Sequence, residues 1–252
     1  MTMRKRVLVL NPDYQECMEF VQSLPALFER QGDILHDGRN TVKRFDCQGR
    51  PLIVKRFKLP LWFQRIAYTF FRSTKARKAY EKAMRFLALG IDTPRPVAYI
   101  ETTSSGLFDR GYFISEQDSR PSCDCFDDLG QEMDEQMVER LAEYILSLHR
   151  LGVLHGDLNL SNILYENRGE GVWHFALIDI NRAVFVEGMP SYQQTVDDMW
   201  RITHTRALAR RILLAYARLR GWGEEAFVED VFARIRYQER QKRWRRKVLK
   251  RR

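Results

Sequence analysis

The sequence predicts an α+β chain folded as two lobes, a small strand-rich N-terminal half followed by a mostly helical C-terminal half. Three observations lead there. Before Gln117 the apolar residues recur mainly in short runs bounded by Gly, Pro, Asn or Asp, as strands require. After it the dominant period is helical, in "DEQMVERLAEYILSLHRLG" and in nearly everything beyond Val196. Near the start of the helical half lies a polar island, "HGDLNLSN", flanked by "VL" and "IL". The expected boundaries are residues 1–117 for the N-terminal lobe and 118–252 for the C-terminal lobe, with a seam near 117–122.

Taken in order, the start "MTMRKRVLVLNP" is basic, but its apolar run is too short for a signal peptide and reads as a first strand. In "NPDYQECMEFVQSLP", Cys17, Phe20, Val21 and Leu24 fall at helical spacing, with Asn11 or Asp13 as cap and Pro25 expected to end or bend the helix. "ILHDGRN", "TVKRFDC" and "PLIVKRFK" read as an antiparallel meander. Residues 60–72 are basic and aromatic, and residues 74–89 form a strong helix stopped by Gly90. "TPRPVAYIE" and "GYFISEQ" add two strands. Met137, Leu141, Ile145 and Leu148 then share one face of a helix closed by Gly152. The polar island, a turn at "NRGEG" and the strand "VWHFALIDI" follow.

Composition narrows the function classes. A chain 44% hydrophobic and 30% charged is an ordinary globular protein, and it has no apolar run of the roughly 18–20 residues that a membrane span needs. Cys17, Cys47, Cys123 and Cys125 do not form a disulfide framework. Cys123-Asp124-Cys125 lacks a second Cys/His pair at ligand spacing, so the thiols read as reduced and cytosolic. The net charge of +9 is concentrated at the C-terminus, where residues 234–252 hold eleven Lys/Arg and one acid, Glu239.

Phosphoryl transfer needs a lysine on the nucleotide's phosphates and a carboxylate to hold that lysine. It also needs an aspartate to orient the acceptor hydroxyl, and an Asn and a second Asp for Mg²⁺. Candidates stand in that chain order. Lys55 lies in "PLIVKRF", where alternation puts Ile53 and Lys55 on one face and Val54 and Arg56 on the other. Glu81 lies in the next helix. Taken singly, these read equally as a surface lysine and a solvated helix acid. Asp157 and Asn162 are five residues apart in the polar island, and Asp179 ends the apolar strand. A turn-shaping pair and a cap would be the bland reading of these three; the combination with Lys55 and Glu81 argues against it.

"HGDLNLSN" is similar to the kinase catalytic loop H-R-D-L-x-x-x-N, and "LIVK" to V-A-I-K. With "GRN", "LIVKRFK", "SLHRLGVLHGDLNLSNIL" and "LIDINRA", the chain resembles the protein-kinase-like superfamily. Within it, the chain looks like the lipopolysaccharide kinase (Kdo/WaaP) family over roughly residues 30–190. The resemblance implies a bilobal protein-kinase-like fold, ATP and Mg²⁺ as cofactors, and a Kdo or heptose hydroxyl of the lipopolysaccharide inner core as acceptor. It assigns catalysis to Asp157, with Asn159 and His155 in the same loop. It assigns nucleotide binding to Lys55, Glu81, Gly38, Arg39, Glu116 and Gln117, and metal binding to Asn162 and Asp179.

There are departures. Asp37-Gly38-Arg39-Asn40 replaces a Gly-rich loop, Asn159 stands where protein kinases carry Lys, and Asp179-Ile180-Asn181 replaces D-F-G. No A-P-E anchor follows. Together these favour a sugar over a docked peptide. An atypical RIO-like serine/threonine kinase is the alternative, and a membrane-associated pseudokinase scaffold a further one. Glu116 and Gln117 would offer backbone groups to adenine. Asp198 is either a tether of the catalytic-loop backbone or a plain helix N-terminal carboxylate, and His155 supports the loop. His149 is a packed or rim histidine. Arg182 meets either a substrate phosphate or a surface carboxylate.

Between Pro51 and Tyr80 stand eight Lys/Arg and no acid, interleaved with Phe57, Trp62, Phe63, Tyr68, Phe70 and Phe71. The insert 59–72 reads either as a helix on an anionic membrane surface or as aromatics packed on the N-terminal lobe. The tail 234–252 suits the same membrane surface. No nucleic-acid module is present, and no nucleic-acid partner is expected. The expected location is cytoplasmic, peripheral to the inner face of the cytoplasmic membrane.

Overall fold

A computed structural model describes residues 6–128, 132–169 and 171–249. The chain divides into two compact units, residues 1–119 and 120–252.

The N-terminal unit is a six-stranded antiparallel sheet with helices on both faces. Strand β1 (Arg6–Leu10) leads through a 3₁₀ segment, Pro12–Cys17, into α1 (Met18–Arg30). The meander β2 (Asp33–Asp37), β3 (Thr41–Cys47), β4 (Arg50–Arg56) follows. Next come α2 (Trp62–Phe70), α3 (Lys75–Ala88), β5 (Pro96–Ser104) and β6 (Leu107–Glu116), and the sheet order is β1-β5-β6-β4-β3-β2. The alternation in β4 sorts its neighbours. Leu52 and Val54 are buried with Val21, Leu24 and Phe28 of α1. Phe57 and Tyr99 pack on the opposite side against Ala76, Ala79 and Tyr80 of α3.

Pro25 does not end α1, which runs five residues past it to Arg30. A proline removes the donor for the carbonyl four residues earlier and crowds it. Here the Arg6 guanidinium supplies donors instead, to Val21 O at 2.8 Å and to Gln22 O. At the far end Lys43 Nζ donates to Phe28 O at 2.7 Å and Gln31 O at 2.9 Å, satisfying carbonyls that helix termination leaves bare. Cys17 and Cys47 are buried with their sulfurs 3.1 Å apart, and burial pushes the Cys47 thiol up to about 12, which makes it a packing residue.

The C-terminal unit begins with α4 (Cys125–Asp128) and α5 (Glu135–Arg150), the latter capped by Asp134, whose side chain accepts from Met137 N at 2.7 Å. Two short ladders follow. β7 (Val153–Leu154) pairs with β10 (Val184–Phe185), and β8 (Ile163–Asn167) pairs with β9 (Trp173–Leu177). Helices α6 (Tyr192–Met199), α7 (Arg206–Arg220) and α8 (Glu224–Leu249) complete it. Met137, Leu141, Ile145 and Leu148 are buried as their spacing requires, with α5 packed on α7 and α7 on α8. Most of the basic tail lies in α8, and residues 250–252 fall outside the described residues. Among the described residues no helix is long and apolar enough to cross a membrane.

Candidate active site

The ladders of the C-terminal unit fix two loops at both ends. The polar island runs from β7 to β8, and the Asp179 segment runs from β9 to β10. Since β7 pairs with β10 and β8 with β9, each ladder anchors one end of both loops. A further bond joins them, from Ile178 N–H to Asn162 O at 3.0 Å.

Asp198 tethers the island. It is buried, and it accepts from the His155 N–H at 3.1 Å and the Gly156 N–H at 2.6 Å. His149 Nε2 lies 3.3 Å from the same carboxylate, and His149 Nδ1 lies 2.6 Å from the Tyr216 hydroxyl. Asp198 sits in the last turn of α6, where the helix dipole disfavours an anion. The helix N-terminal reading therefore falls, and the donors offset the misplacement. His149 is a packed histidine, wholly engaged.

His155 is buried, and its Nε2 lies 3.1 Å from the Ile178 carbonyl, so that nitrogen carries the proton and donates. Burial holds its pKa below the ordinary imidazole value, against the opposing pull of Asp198. Its role is to position the loop. Gly156 is needed twice over: its φ is +72°, and a Cβ there would meet Arg182 O at 2.6 Å.

The Asp157 carbonyl accepts from both amides of the motif, Asn159 Nδ2 at 3.1 Å and Asn162 Nδ2 at 2.9 Å. These two hydrogen bonds to one oxygen are the physical content of the five-residue spacing. They fix the backbone at Asp157 and leave Asn162 Oδ1 as that amide's acceptor end. Both Asp157 carboxylate oxygens carry a guanidinium. Arg182 Nη1 stands 3.2 Å from Oδ2, and Arg201 Nη1 contacts Oδ1 while its guanidinium lies 4.4 Å from the Trp200 ring centre. Arg182 thus meets a carboxylate, and that carboxylate is Asp157. Arg201 was not legible beforehand. It lies 44 residues from Asp157 and belongs to no motif.

Asp179 is exposed and adopts a left-handed conformation, φ +50° and ψ +44°, with Asn181 Nδ2 donating to its Oδ1 at 3.2 Å. Such a conformation is uncommon outside glycine, with aspartate among the residues that tolerate it best. One carboxylate and one amide oxygen are hard donors suited to Mg²⁺, which keeps several waters and takes phosphate oxygens as further ligands. Among the described residues no group of three or more His, Cys, Asp or Glu could hold a metal, so the pair needs such outside ligands.

In the N-terminal unit, Lys55 is the charged member of a row across five strands, Val42–Lys55–Phe113–Tyr99–Val9. Its stem lies among apolar neighbours, and its Nζ is 5.8 Å from the Phe57 ring centre. Glu81 is the sole acid of α3. It is exposed, and its Oε1 accepts from Arg77 Nε at 2.7 Å, the geometry of a surface i, i+4 pair. The Asp37–Asn40 turn is closed by Gly38 N–H to Asn40 O at 3.2 Å and Thr41 Oγ1 to Asp37 Oδ1 at 3.1 Å. Arg39 lines a cavity of about 370 Å³ with Lys58, Gln64, Tyr68 and Lys75. The backbone N–H groups of Glu116 and Gln117 are both taken, by Arg95 O and Pro51 O at 2.9 Å each. Only their carbonyls and the buried, unpartnered Gln117 Oε1 could face a base.

Two units of this build, with a tethered Asp–Asn loop in the helical one, define a protein-kinase-like fold. The structure of WaaP in complex with acyl carrier protein superposes with a TM-score of 0.61 at 19% identity, covering 93% of this chain and 97% of that one. The Rio2 kinase–ADP/Mg²⁺–phosphoaspartate complex from Chaetomium thermophilum superposes with a TM-score of 0.50 at 14% identity, covering 88% and 76%. The chain belongs to the lipopolysaccharide kinase (Kdo/WaaP) family, whose sequence pattern matches residues 35–213. It is 28% identical over 188 residues to the 3-deoxy-D-manno-octulosonic acid kinase of Photobacterium profundum, covering 71% of this chain and 75% of that protein. It is 25% identical over 147 residues to the enzyme of the same name from Vibrio parahaemolyticus, covering 58% of this chain and 59% of that protein. The expectations of family and fold are met.

Proposed function

We propose that this chain is an ATP-dependent kinase of a lipopolysaccharide inner-core sugar, a Kdo or a heptose. The observation that carries the reading is the tethered loop. Asp198 holds its backbone at His155 and Gly156, and Asn159 and Asn162 hold the Asp157 carbonyl. Asp157 orients the acceptor hydroxyl. As the new O–P bond forms at the γ-phosphorus and the bond to the ADP oxygen breaks, the hydroxyl proton passes to Asp157. Lys55 steadies the nucleotide phosphates, with Gly38 and Arg39 at the phosphate-covering turn, while Glu81 stays with Arg77. Mg²⁺ on Asn162 and Asp179 would neutralise charge developing on the phosphates. Positioning and charge stabilisation account for most of the rate.

The proposed working place is the inner face of the cytoplasmic membrane, and α2 supports it. Arg65, Tyr68 and Thr69 attach this helix to β6. Arg65 Nε donates to Phe108 O at 2.6 Å, Thr69 Oγ1 accepts from Phe108 N at 2.8 Å, and the Tyr68 and Phe108 rings are 5.5 Å apart. The other side of α2 presents Trp62, Phe63, Ile66 and Phe70 to solvent. An apolar face turned outward beside Lys58 and Arg72 suits an anionic leaflet.

The test is ATP with purified lipopolysaccharide core acceptors, read by mass spectrometry for an added phosphate. Asp157→Ala should lower the rate by about 10²–10⁴-fold. Phosphate appearing on protein in preference to the glycolipid would overturn the sugar reading.

A further inference from the structure

The C-terminal unit holds a cavity of about 400 Å³ beside the catalytic loop. Asn159, Leu160 and Ser161 line it, with Arg201, Arg206 and Lys242. It also has acids on its wall, but two are engaged. Asp127 accepts from the Thr203 hydroxyl and lies 3.5 Å from His204 Nδ1, and Asp124 Oδ1 accepts from the Ser122 hydroxyl at 2.5 Å. Glu239 is exposed. Arg201, Arg206 and Lys242 share the wall with these acids, and Arg201 links the cavity to Asp157, whose Oδ1 it contacts.

An acceptor hydroxyl must donate to a carboxylate oxygen of Asp157, yet Arg182 covers one and Arg201 the other. Each oxygen keeps a second lone pair, and moving one guanidinium aside opens the carboxylate to the hydroxyl's approach. A planar guanidinium binds carboxylate or phosphate through two parallel hydrogen bonds, so an anion in the cavity is a better partner than a single shared oxygen. An octulosonic acid, the sugar in the names of the relatives, carries such a carboxylate.

We propose that this cavity receives an anionic group of the acceptor, a carboxylate or a neighbouring phosphate. Arg201 transfers its hold from Asp157 Oδ1 to that anion. Docking the acid thereby uncovers the oxygen that the acceptor hydroxyl needs, and a neutral sugar leaves it covered. Arg201 is a specificity residue for acidic acceptors, with Lys242 as a rim cation. The inference rests on the sugar-kinase reading.

The experiment compares wild type, Arg201→Gln, Arg201→Lys and Lys242→Gln on three soluble acceptors. These are a Kdo glycoside, its carboxamide, and the carboxamide bearing a phosphate on an adjacent sugar. Wild type should prefer acid to carboxamide by about tenfold or more in kcat/KM, with kcat falling as well as KM rising for the carboxamide. Arg201→Gln should reduce the preference to about twofold. Arg201→Lys should restore it only in part, because lysine lacks the fork. Lys242→Gln should raise KM for the acid and leave kcat alone. If the phosphate restores transfer to the carboxamide, the phosphate is the anion that is read. An unchanged acid-to-amide ratio in Arg201→Gln overturns the proposal while the sugar-kinase reading stands. If none of the three acceptors and no lipopolysaccharide core is phosphorylated, both readings are overturned.

Discussion

The loop from His155 to Asn162 and the helix from Trp62 to Phe70 are built in opposite ways. The loop is polar in sequence, yet His155, Leu158 and Leu160 are buried and its backbone is tied to Asp198. The helix is strongly apolar, yet none of its residues is buried. In a folded chain polar groups can be fixed by giving their backbone donors a buried acceptor, and apolar groups can be left exposed where a second surface is to cover them. Burial follows the job, and composition alone does not report it.

The largest effect that would break this contrast is loss of the tether. Asp198→Ala removes the acceptor of two loop N–H groups and of His149 in a buried setting. It should cost about 3–5 kcal/mol in urea unfolding, and residual phosphoryl transfer should fall even where the variant stays folded. Asp198→Asn should lie between it and wild type, since one acceptor oxygen remains while the amide nitrogen that replaces the other faces a donor.

Gly156→Ala comes next. A side chain at φ +72° costs about 1–2 kcal/mol, and its Cβ must also displace the Arg182 carbonyl. Because Arg182 pairs with Asp157, kcat should fall by more than the stability loss explains. Thermal unfolding and initial rates on the same preparation separate the two.

His155 gives a smaller, pH-dependent term. Its native pKa lies below the 6.5 of a free imidazole because burial disfavours the charge. The unfolded chain therefore binds the proton first as pH falls. The group's stability contribution is complete above about pH 7.5 and declines through 6.5 toward the lower native value. The slope should not exceed about 1.4 kcal/mol per pH unit, and His155→Gln should flatten it in urea titrations across that range.

Much of this was written in the sequence, and the reasons differ by residue. Asp157 and Asn162 were legible because their spacing is local, and one carbonyl serves both Asn159 and Asn162. The strands and their faces were legible because alternation is local as well, so Leu52 and Val54 sort from Lys55. What escaped is long-range. Arg6 reaching the carbonyls around Pro25 lets α1 continue where proline chemistry alone says it ends. Arg201 reaches Asp157 across 44 residues, which no spacing encodes. The resemblance assigns Glu81 to Lys55, and the structure gives it Arg77 as a neighbour one turn away.

The smallest effect on stability belongs to α2, and it sharpens the contrast most. Trp62 is 72% exposed and Phe71, just past the helix, 81% exposed. Replacing both with Ser should shift unfolding by no more than about 0.5 kcal/mol, since each ring meets an exposed neighbour, Phe63 or Phe70. Tyr68→Ser should cost more, about 1–2 kcal/mol, because that ring packs on Phe108. Binding to vesicles rich in anionic lipid should reverse the order: Trp62→Ser with Phe71→Ser weakens sedimentation, and Tyr68→Ser leaves it near wild type. Deleting residues 236–252 should lower it further by removing cations worth about 1 kcal/mol each near the leaflet, and the binding that remains should respond less to salt. If the double variant binds vesicles as wild type does, the outward face of α2 serves something other than a membrane.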